Sequence, residues 1–418
     1  MELNQQEKRK YLVIKEYVDG KLSRKQAAVK LNVCAKTISI LRSSYLTNGK
    51  SAFSHGLKTT VPVNRTRRVV ERRIVDCYKG GYIGFNFTHF YEQIETSGLL
   101  YKMTDGEYIS RRSVARILGR NNLVSPRAKR KRRKDNSHPV RLRRTSFGEL
   151  VQLDASLHDW LSLGMQHKIT LHLAIDDATS NVLAGYFCET ETLHGYFQIA
   201  YQIFVGYGVP VDFYTDKRTV FEYRSGKRKE AEHIQFKNAC NQLGIGIITT
   251  SVAQAKGRVE RSFRTHQDRL VSELRLAGIT TVWQANEYLV GYIRQHNIKY
   301  ALAHTNSETD VFRPLDESIE PNKLLSVISQ RKILNGNIIS FKSCQYLPIK
   351  SDGSQLILPV NTPVETIETL DGQLLIRHDS IYYQVQHFAN GRLTAHSPPV
   401  AHPWKQTYGL KLSRSKHS

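Results

Sequence analysis

The chain has 418 residues, 40% of them hydrophobic and 23% charged, with a formal net charge of +24. That is core material for two to four soluble domains, and no apolar run is long enough to span a bilayer. The charge is uneven: residues 1–145 hold 33 Lys+Arg against 11 Asp+Glu, residues 146–418 hold 28 against 26, so the front third is a basic module whose partner is anionic, nucleic acid or a membrane surface. The polar start MELNQQEKRK does not read as a signal peptide. Five scattered cysteines (Cys34, Cys77, Cys188, Cys240 and Cys344) form no CxxC pair, which argues against structural zinc or a disulfide framework and for a reducing cytosol.

In chain order, residues 5–18 place Tyr11, Ile14, Tyr17 and Val18 on one helical face, ended by Gly20. Ser23 and Gln26 form a capping-box pattern for a second helix carrying Ala27, Ala28 and Leu31. After a turn at Asn32 and Val33 a third helix carries Ile38, Leu41 and Tyr45. This is helix-turn-helix spacing, a domain over 1–50 that would set Thr37, Ser39, Arg42 and Ser43 near DNA; an ordinary three-helix bundle is the plain alternative. A second helical unit, 65–125, ends in a helix capped by Ser110 with Arg111, Arg112 and Arg116 in its first turns. It reads as another helix-turn-helix, or as a spacer with solvated arginines. The stretch 126–145 is a linker; from 127 to 144 it holds ten Lys/Arg and one acidic residue, Arg130 and Arg132 among them. Such a block cannot enter a core and suits phosphates or a minor groove.

The nearly neutral remainder begins with a core over 146–310. Strands are expected at LVQLDAS and on either side of a turn at Asp177–Asn181, then a helix with Phe197, Ala200, Tyr201 and Phe204 on one face, a strand VPVDFYTD, a helix EAEHIQFKNACNQLG, a strand IGIITT and two helices. The order β-β-β-α-β-α-β-α is mixed α/β, that of the ribonuclease H-like fold, with a mixed five-stranded sheet. A loop and short helix follow at 310–325. Over 328–398 short strand-like runs (NGNIISFK, QYLPI, SQLILP, PVETIETL, QLLIRH, IYYQVQHF) alternate with Asn-Gly and Asp-Gly turns, a small β-barrel. Residues 399–418 are a basic tail. The fold class is thus multidomain: N-terminal all-α helix-turn-helix domains, a central α/β ribonuclease H-like core and a C-terminal small β-barrel.

Three carboxylates sit where such a core needs apolar or neutral residues. Asp154 interrupts the first core strand, Asp216 closes the fourth, and Glu260 lies in the first turns of the helix after the fifth, with 61 and 43 residues intervening. A buried charge is costly unless paired or metal-bound. In a ribonuclease H-like sheet the first and fourth strands are neighbours, so the three carboxylates converge on an oxygen-rich site for Mg²⁺ or Mn²⁺. Two such ions could hold the attacking and leaving oxygens of an in-line phosphoryl displacement. Asp176 and Asp177 read as turn-formers. Asp159 lies near enough in sequence to approach the site, and Asp268, two turns beyond Glu260, reads as solvated. No Ser or Cys nucleophile motif and no histidine metal spacing is present.

With VQLDAS, LAIDDATSNVLAGYF, FYTDKRTVF and AQAKGRVERSFRTHQDRL in this order, the chain resembles the DDE transposases and retroviral integrases. The match is closest to bacterial insertion-sequence transposases with an integrase-type core, the ISNCY-like group. The resemblance extends over most of the chain. It implies that Asp154, Asp216 and Glu260 are catalytic metal ligands, that Lys256 faces the DNA end one helical turn earlier, with Arg264 continuing the row, and that the substrates are element ends and target DNA. It further implies a homo-oligomer on DNA in the bacterial cytoplasm, at the nucleoid, with no membrane partner and no small-molecule substrate. The second carboxylate spacing is longer than integrases typically show; the polar stretch 222–233 is expected to absorb the excess as a surface loop. Two other readings share these residues: a transposase-derived DNA-binding regulator that does not cut, and a related nuclease that hydrolyses without strand transfer. The charge boundary also suggests that a fragment beginning at Ser146 folds alone, keeps the metal site and loses recognition of element ends.

Overall fold

The computed structural model describes residues 3–54, 65–126, 142–216, 227–250, 257–302, 309–389 and 392–393. It forms two compact units, Met1–Ile74 and Val75–Ser418. The first holds α1 (Gln5–Val18), α2 (Arg24–Leu31) and α3 (Ala35–Asn48). Asn4 and Glu7 cap α1 reciprocally, and Ser23 and Gln26 do the same for α2, satisfying N–H groups that have no partner in the helix. Asn32, left-handed at φ 53°, ends α2, a conformation Asn tolerates better than most residues. The short α2–α3 connection is the one expected. Ile14, Ala27 and Ile38 form the centre of a small core. Tyr11, Tyr45 and Phe53 pack ring against ring beside it, with centroids 5.8–5.9 Å apart.

The division between the units falls inside α4 (Arg68–Gly81), which is followed by α5 (Phe87–Thr96), α6 (Leu99–Thr104) and α7 (Arg111–Arg120). The six-residue α6 is not among the expected elements; Gly98 before it and Asp105, left-handed, after it read as one continuous turn in the sequence. The core follows in the anticipated order: β1 (Leu150–His158), β2 (Ile169–Asp176), β3 (Val182–Cys188), α8 (Leu193–Gly206), β4 (Asp212–Asp216), α9 (Lys227–Gln242), β5 (Gly246–Thr250), α10 (Gly257–Leu276) and α11 (Val282–Tyr300). The five strands lie in the order β3-β2-β1-β4-β5. β1, β2 and β3 are antiparallel in turn, and β4 and β5 run parallel to β1. α9 starts at Lys227, so part of the stretch expected as a loop at 222–233 is helix; residues 217–226 lie outside those described.

Strand alternation sorts the two faces. Val151, Leu153, Ala174 and Phe213 pack with Phe197, Ile203 and Phe236 of α8 and α9. Leu171, Leu173 and Ile175 pack with Val259, Phe263 and Leu270 of α10 and Leu289 of α11. On β1 the residues between the first set, Gln152, Asp154 and Ser156, therefore turn to the α10 face.

The second helical stretch is bonded to this core rather than standing apart from it. The Asn86 amide donates to Asp268 at 2.6 Å, His89 bonds Glu273 at 2.8 Å, and Glu92 accepts from Arg269 at 2.6 Å and Lys299 at 2.5 Å. Asp268, read from sequence as solvated, is thus half-buried and hydrogen-bonded. Burial would raise the Glu92 carboxyl, but Arg269 and Lys299 hold it below its ordinary range.

At the other end come α12 (Pro321–Leu324), β6 (Val327–Lys332), β7 (Ile339–Phe341), β8 (Cys344–Ile349), β9 (Pro363–Glu368), β10 (Leu374–His378), β11 (Ile381–Ala389) and β12 (Arg392–Leu393). They form an antiparallel sheet ordered β6-β9-β10-β11-β8-β7, with β12 on β11, around Ile333, Ile339, Val364 and Ile376. Among the described residues no ladder joins β6 to β7, so the barrel stops short of closure. SQLILP, expected as a strand, makes a single bridge, Ile349 to Gln355, while β6 goes unforeseen because VISQRK lacks clean alternation. Reciprocal bonds of 2.8 Å between the Gln235 side chain and the Ile328 backbone tie this sheet to α9.

Candidate active site

β1 and β4 are paired in register, Leu150 with Asp212, Val151 with Phe213 and Gln152 with Tyr214. Two residues further along both strands lie Asp154 and Asp216, so the two carboxylate positions stand level on neighbouring strands. Because Phe213 belongs to the α8 face, alternation assigns position 216 to the opposite face, that of Gln152 and Asp154; the Asp216 side chain itself lies outside those described. Asp154 is half-buried, opposite Leu173 of β2.

The third position is brought in by hydrogen bonds the sequence reading missed. The amide N–H of Val259 donates to Gln152 Oε1 at 3.3 Å, and the Gln152 Nε2 donates to Asp177 Oδ1 at 2.6 Å. Asp177 Oδ1 also accepts from Arg258 Nη1 at 2.6 Å. Further along, Gln267 donates to Ser156 Oγ at 3.2 Å. α10 is therefore fastened at both flanks of Asp154, at Gln152 before it and Ser156 after it. Glu260, half-buried in the first turn of α10, follows directly on the anchored Val259. Glu260, Arg264 and Gln267 are three and four residues apart, hence one face, and Gln267 shows that this face meets β1. Arg264 is exposed. Lys256 lies outside the described residues.

Asp176 is the turn-former expected: it accepts from Thr179 N and Oγ1 at 2.7 Å each and from Gly148 N at 3.0 Å. Burial raises its pKa, those donors notwithstanding. Asp177 does more than form a turn. Fully buried, it holds Gln152, Arg258 and the Arg144 amide, so the β2–β3 turn is the clamp for the start of α10. Asp159 bonds the backbone of Leu163 and Gly164 at 3.0 Å each, closing its own turn. The local signal for the clamp was faint: a glutamine two residues before Asp154 on a strand that is otherwise apolar.

The expected DNA-facing residues fall into separate groups. On α3, Ser39 and Arg42 are exposed, whereas Thr37 is half-buried with its hydroxyl 3.1 Å from the Cys34 sulfur. On α7, Arg111, Arg112 and Arg116 are all exposed, and Ser110 caps the helix as foreseen. Arg130 and Arg132 lie outside the described residues. Among the described side chains no group of three His, Cys, Asp or Glu is placed to hold a metal; the expected trio includes Asp216. No described helix is long and apolar enough to cross a membrane.

No family model matches the chain. A chain of the simian T-cell lymphotropic virus intasome in complex with PP2A regulatory subunit B56 gamma aligns with 68% of this chain and 93% of its own length, at 16% identity and a TM-score of 0.33, a likeness too slight to argue from. Sequence relatives say more. A protein of Sinorhizobium fredii, y4bF, provisionally named a transposase, is 30% identical over 77% of this chain and 67% of its own length. The transposase for insertion sequence IS1202 of Streptococcus pneumoniae is 32% identical over 96% of this chain and 94% of its own. Identity of that degree along nearly the full length of both chains places this protein in the family of insertion-sequence transposases.

Proposed function

We propose that this transposase binds the terminal repeats of its element and catalyses metal-dependent cleavage and strand transfer, with Asp154, Asp216 and Glu260 as the catalytic carboxylates. The observation that carries the reading is the levelling of positions 154 and 216 on paired parallel strands, with α10 fastened across Asp154 so that Glu260 comes to the same face. The donor set fits a hard divalent cation: three carboxylates on three elements, no thiol or imidazole among them. Mg²⁺ or Mn²⁺, two per site, held by these residues would neutralise charge on the phosphoryl oxygens in the transition state.

In the cleavage step water attacks the phosphorus at the element end; the P–O bond to the element 3′ oxygen breaks and that oxygen leaves as a hydroxyl. In the joining step this 3′-OH attacks a target phosphodiester and the target's own 3′ oxygen leaves. One phosphoester bond forms and one breaks each time, so no external energy source is needed. The chain's own part is to fix the three carboxylates. Arg264 would hold the DNA end on the Glu260 face, and α3, α7 and the basic linker would bind duplex. Two helix-turn-helix units would raise specificity through effective concentration.

Purified full-length protein, labelled element ends and plasmid target in Mg²⁺ should give nicked ends and joined products, lost in excess EDTA, with Ca²⁺ supporting binding only. Tight, end-specific binding without any cleavage in Mg²⁺ or Mn²⁺ would refute the catalytic assignment and leave a regulator. Cleavage without joining would leave a nuclease.

A further inference from the structure

A cavity of about 230 Å³ opens on the other side of α10. Arg258 and Arg261 reach it from α10, Arg143 from the end of the basic linker, Ser180 from the β2–β3 turn and His296 from α11; among the described residues no carboxylate lines it. Successive helical residues are turned by about 100°, so Arg258 and Arg261 point well away from Glu260, and the cavity is no part of the carboxylate site. Its charge is only partly neutralised. Asp177, beneath the wall, pairs with Arg258. Arg143 Nη1 donates to the carbonyls of Asp177 and Ala178 and to Ser180 Oγ at 2.8–3.1 Å, neutral acceptors all. Arg261 is exposed, and its guanidinium has no hydrogen bond or ion pair among the described residues; its carbonyl accepts from the Thr265 hydroxyl at 3.2 Å. Among the described residues the wall thus presents three guanidinium groups, whose planar donors match phosphate oxygens.

A second observation points the same way. His296 is 8% exposed, lines the cavity, and has no hydrogen-bond partner among the described residues for its buried Nδ1. Protonated on Nδ1, the neutral ring would offer that nitrogen as a donor to a phosphate oxygen. The position of Arg143 decides what the phosphate belongs to. It is two residues beyond the last undescribed residue of the linker, and its hydrogen bonds pin that end of the linker to the β2–β3 turn. The stretch that runs up to the cavity in sequence, 127–144, holds ten Lys/Arg, a composition suited to a DNA strand.

We propose that the cavity bounded by Arg143, Arg258, Arg261, Ser180 and His296 takes a backbone phosphate of bound DNA, a contact point on the opposite side of α10 from the carboxylates. The proposal rests on the reading of the protein as a DNA-binding transposase. It adds a sequence-independent anchor: a phosphate contact fixes register and carries no base information.

The test uses the full chain carrying Asp154→Asn, so that binding is measured without chemistry, and adds Arg261→Gln. The Arg261 side chain is exposed and makes no described bond, so the fold should be unaffected, which a melting curve checks. Arg294→Gln on α11, an exposed cation off the cavity, is the charge-matched control. Affinity for element ends and for scrambled duplex should both fall about tenfold with Arg261→Gln. The slope of log K against log salt should become shallower by about one, and Arg294→Gln should change neither. Equal losses from both substitutions, or none from Arg261→Gln, would overturn the assignment. Calorimetry with inorganic phosphate and with ADP forms a second arm: saturable binding that Arg261→Gln removes would give the cavity to a small anion instead of DNA. If the Asp154→Asn protein binds no DNA at all, it is the transposase reading that fails, and calorimetry alone then decides what the cavity holds.

Discussion

Gln152 and Asp177 never touch the phosphate in this scheme, yet they determine where Glu260 stands. Replacing Gln152 with Leu leaves the buried Val259 N–H unpaired and takes a donor from Asp177, a cost of about 1–3 kcal/mol. Because the lost bond is the one at the start of α10, we expect joining to fall at least tenfold while duplex binding is retained, read in a single-turnover assay beside a filter-binding isotherm. Asp177→Ala strips Arg258 of its buried counter-charge, and breaking such a pair from one side costs about 3–5 kcal/mol; urea unfolding should show it. Asp154→Asn should end cleavage and joining while duplex binding is retained. An Asp154→Asn protein that joins ends at near-normal rate would remove Asp154 from the site. Asp154 and Asp216 stand out in the sequence because each interrupts or ends an apolar run, whereas Glu260, in a polar helix, is singled out by the resemblance. The clamp around them was harder to see, because Gln152, Asp177 and Arg258 come from three segments and only Gln152, inside an apolar run, stands out locally.

Among the elements, α8 comes so close to β2 that a Cβ on Gly195 would lie 2.4 Å from the His172 ring. Gly195→Ala should therefore force the helix off the sheet, costing about 1–3 kcal/mol or more, visible as a lowered melting temperature with wild-type salt dependence of DNA binding. The same contact seals His172, whose pKa burial lowers to about 4; that of His296 is likewise lowered to about 4, again chiefly by burial. Unfolded, these histidines take up a proton near 6.5; folded, they resist it down to about 4. Between those values the unfolded chain binds more protons, so stability is lost as pH falls, with a slope approaching about 1.4 kcal/mol per pH unit for each histidine. Denaturant midpoints at pH 7, 6 and 5 should shift accordingly, and less in a His172→Gln variant. Helix caps and sheet alternation made most elements legible beforehand: Ser23 with Gln26, Ser110, and the runs around Val151 and Phe213. What escaped were α6, a single short helix between two left-handed residues, and β6, whose VISQRK lacks alternation. The β7–β8 and β10–β11 turns use Lys342–Ser343 and Asp379–Ser380, all at positive φ, in place of Asn-Gly or Asp-Gly; the strands beside them were legible from their apolar residues.

At the scale of the whole molecule, charge and packing mark different boundaries. Cations thin out at residue 146, but the compact unit begins at Val75, because charge follows the partner whereas packing follows buried contacts. A fragment starting at Ser146 would lose Asn86, His89 and Glu92 and so unpair Arg269, which is only 8% exposed. We expect it to be unstable or aggregated, and a fragment starting at Arg65 to fold with the carboxylate site intact and weaker preference for element ends; size-exclusion profiles and salt-dependent competition binding would check both. If the Ser146 fragment is as stable as the Arg65 fragment, the bonds from α5 to α10 contribute little. α10 itself sets the strictest condition. One side of it carries Glu260, another holds Arg258 and Arg261 at the cavity, and its later turns receive α5. Insertion or loss of a single codon beyond its first turns would rotate everything downstream by about 100° and put Glu260 and the cavity arginines out of phase with the contacts to α5. Substitutions can be absorbed one at a time there; a change of length cannot, so reading-frame-preserving insertions spread along the gene should leave a gap over the codons for 257–276.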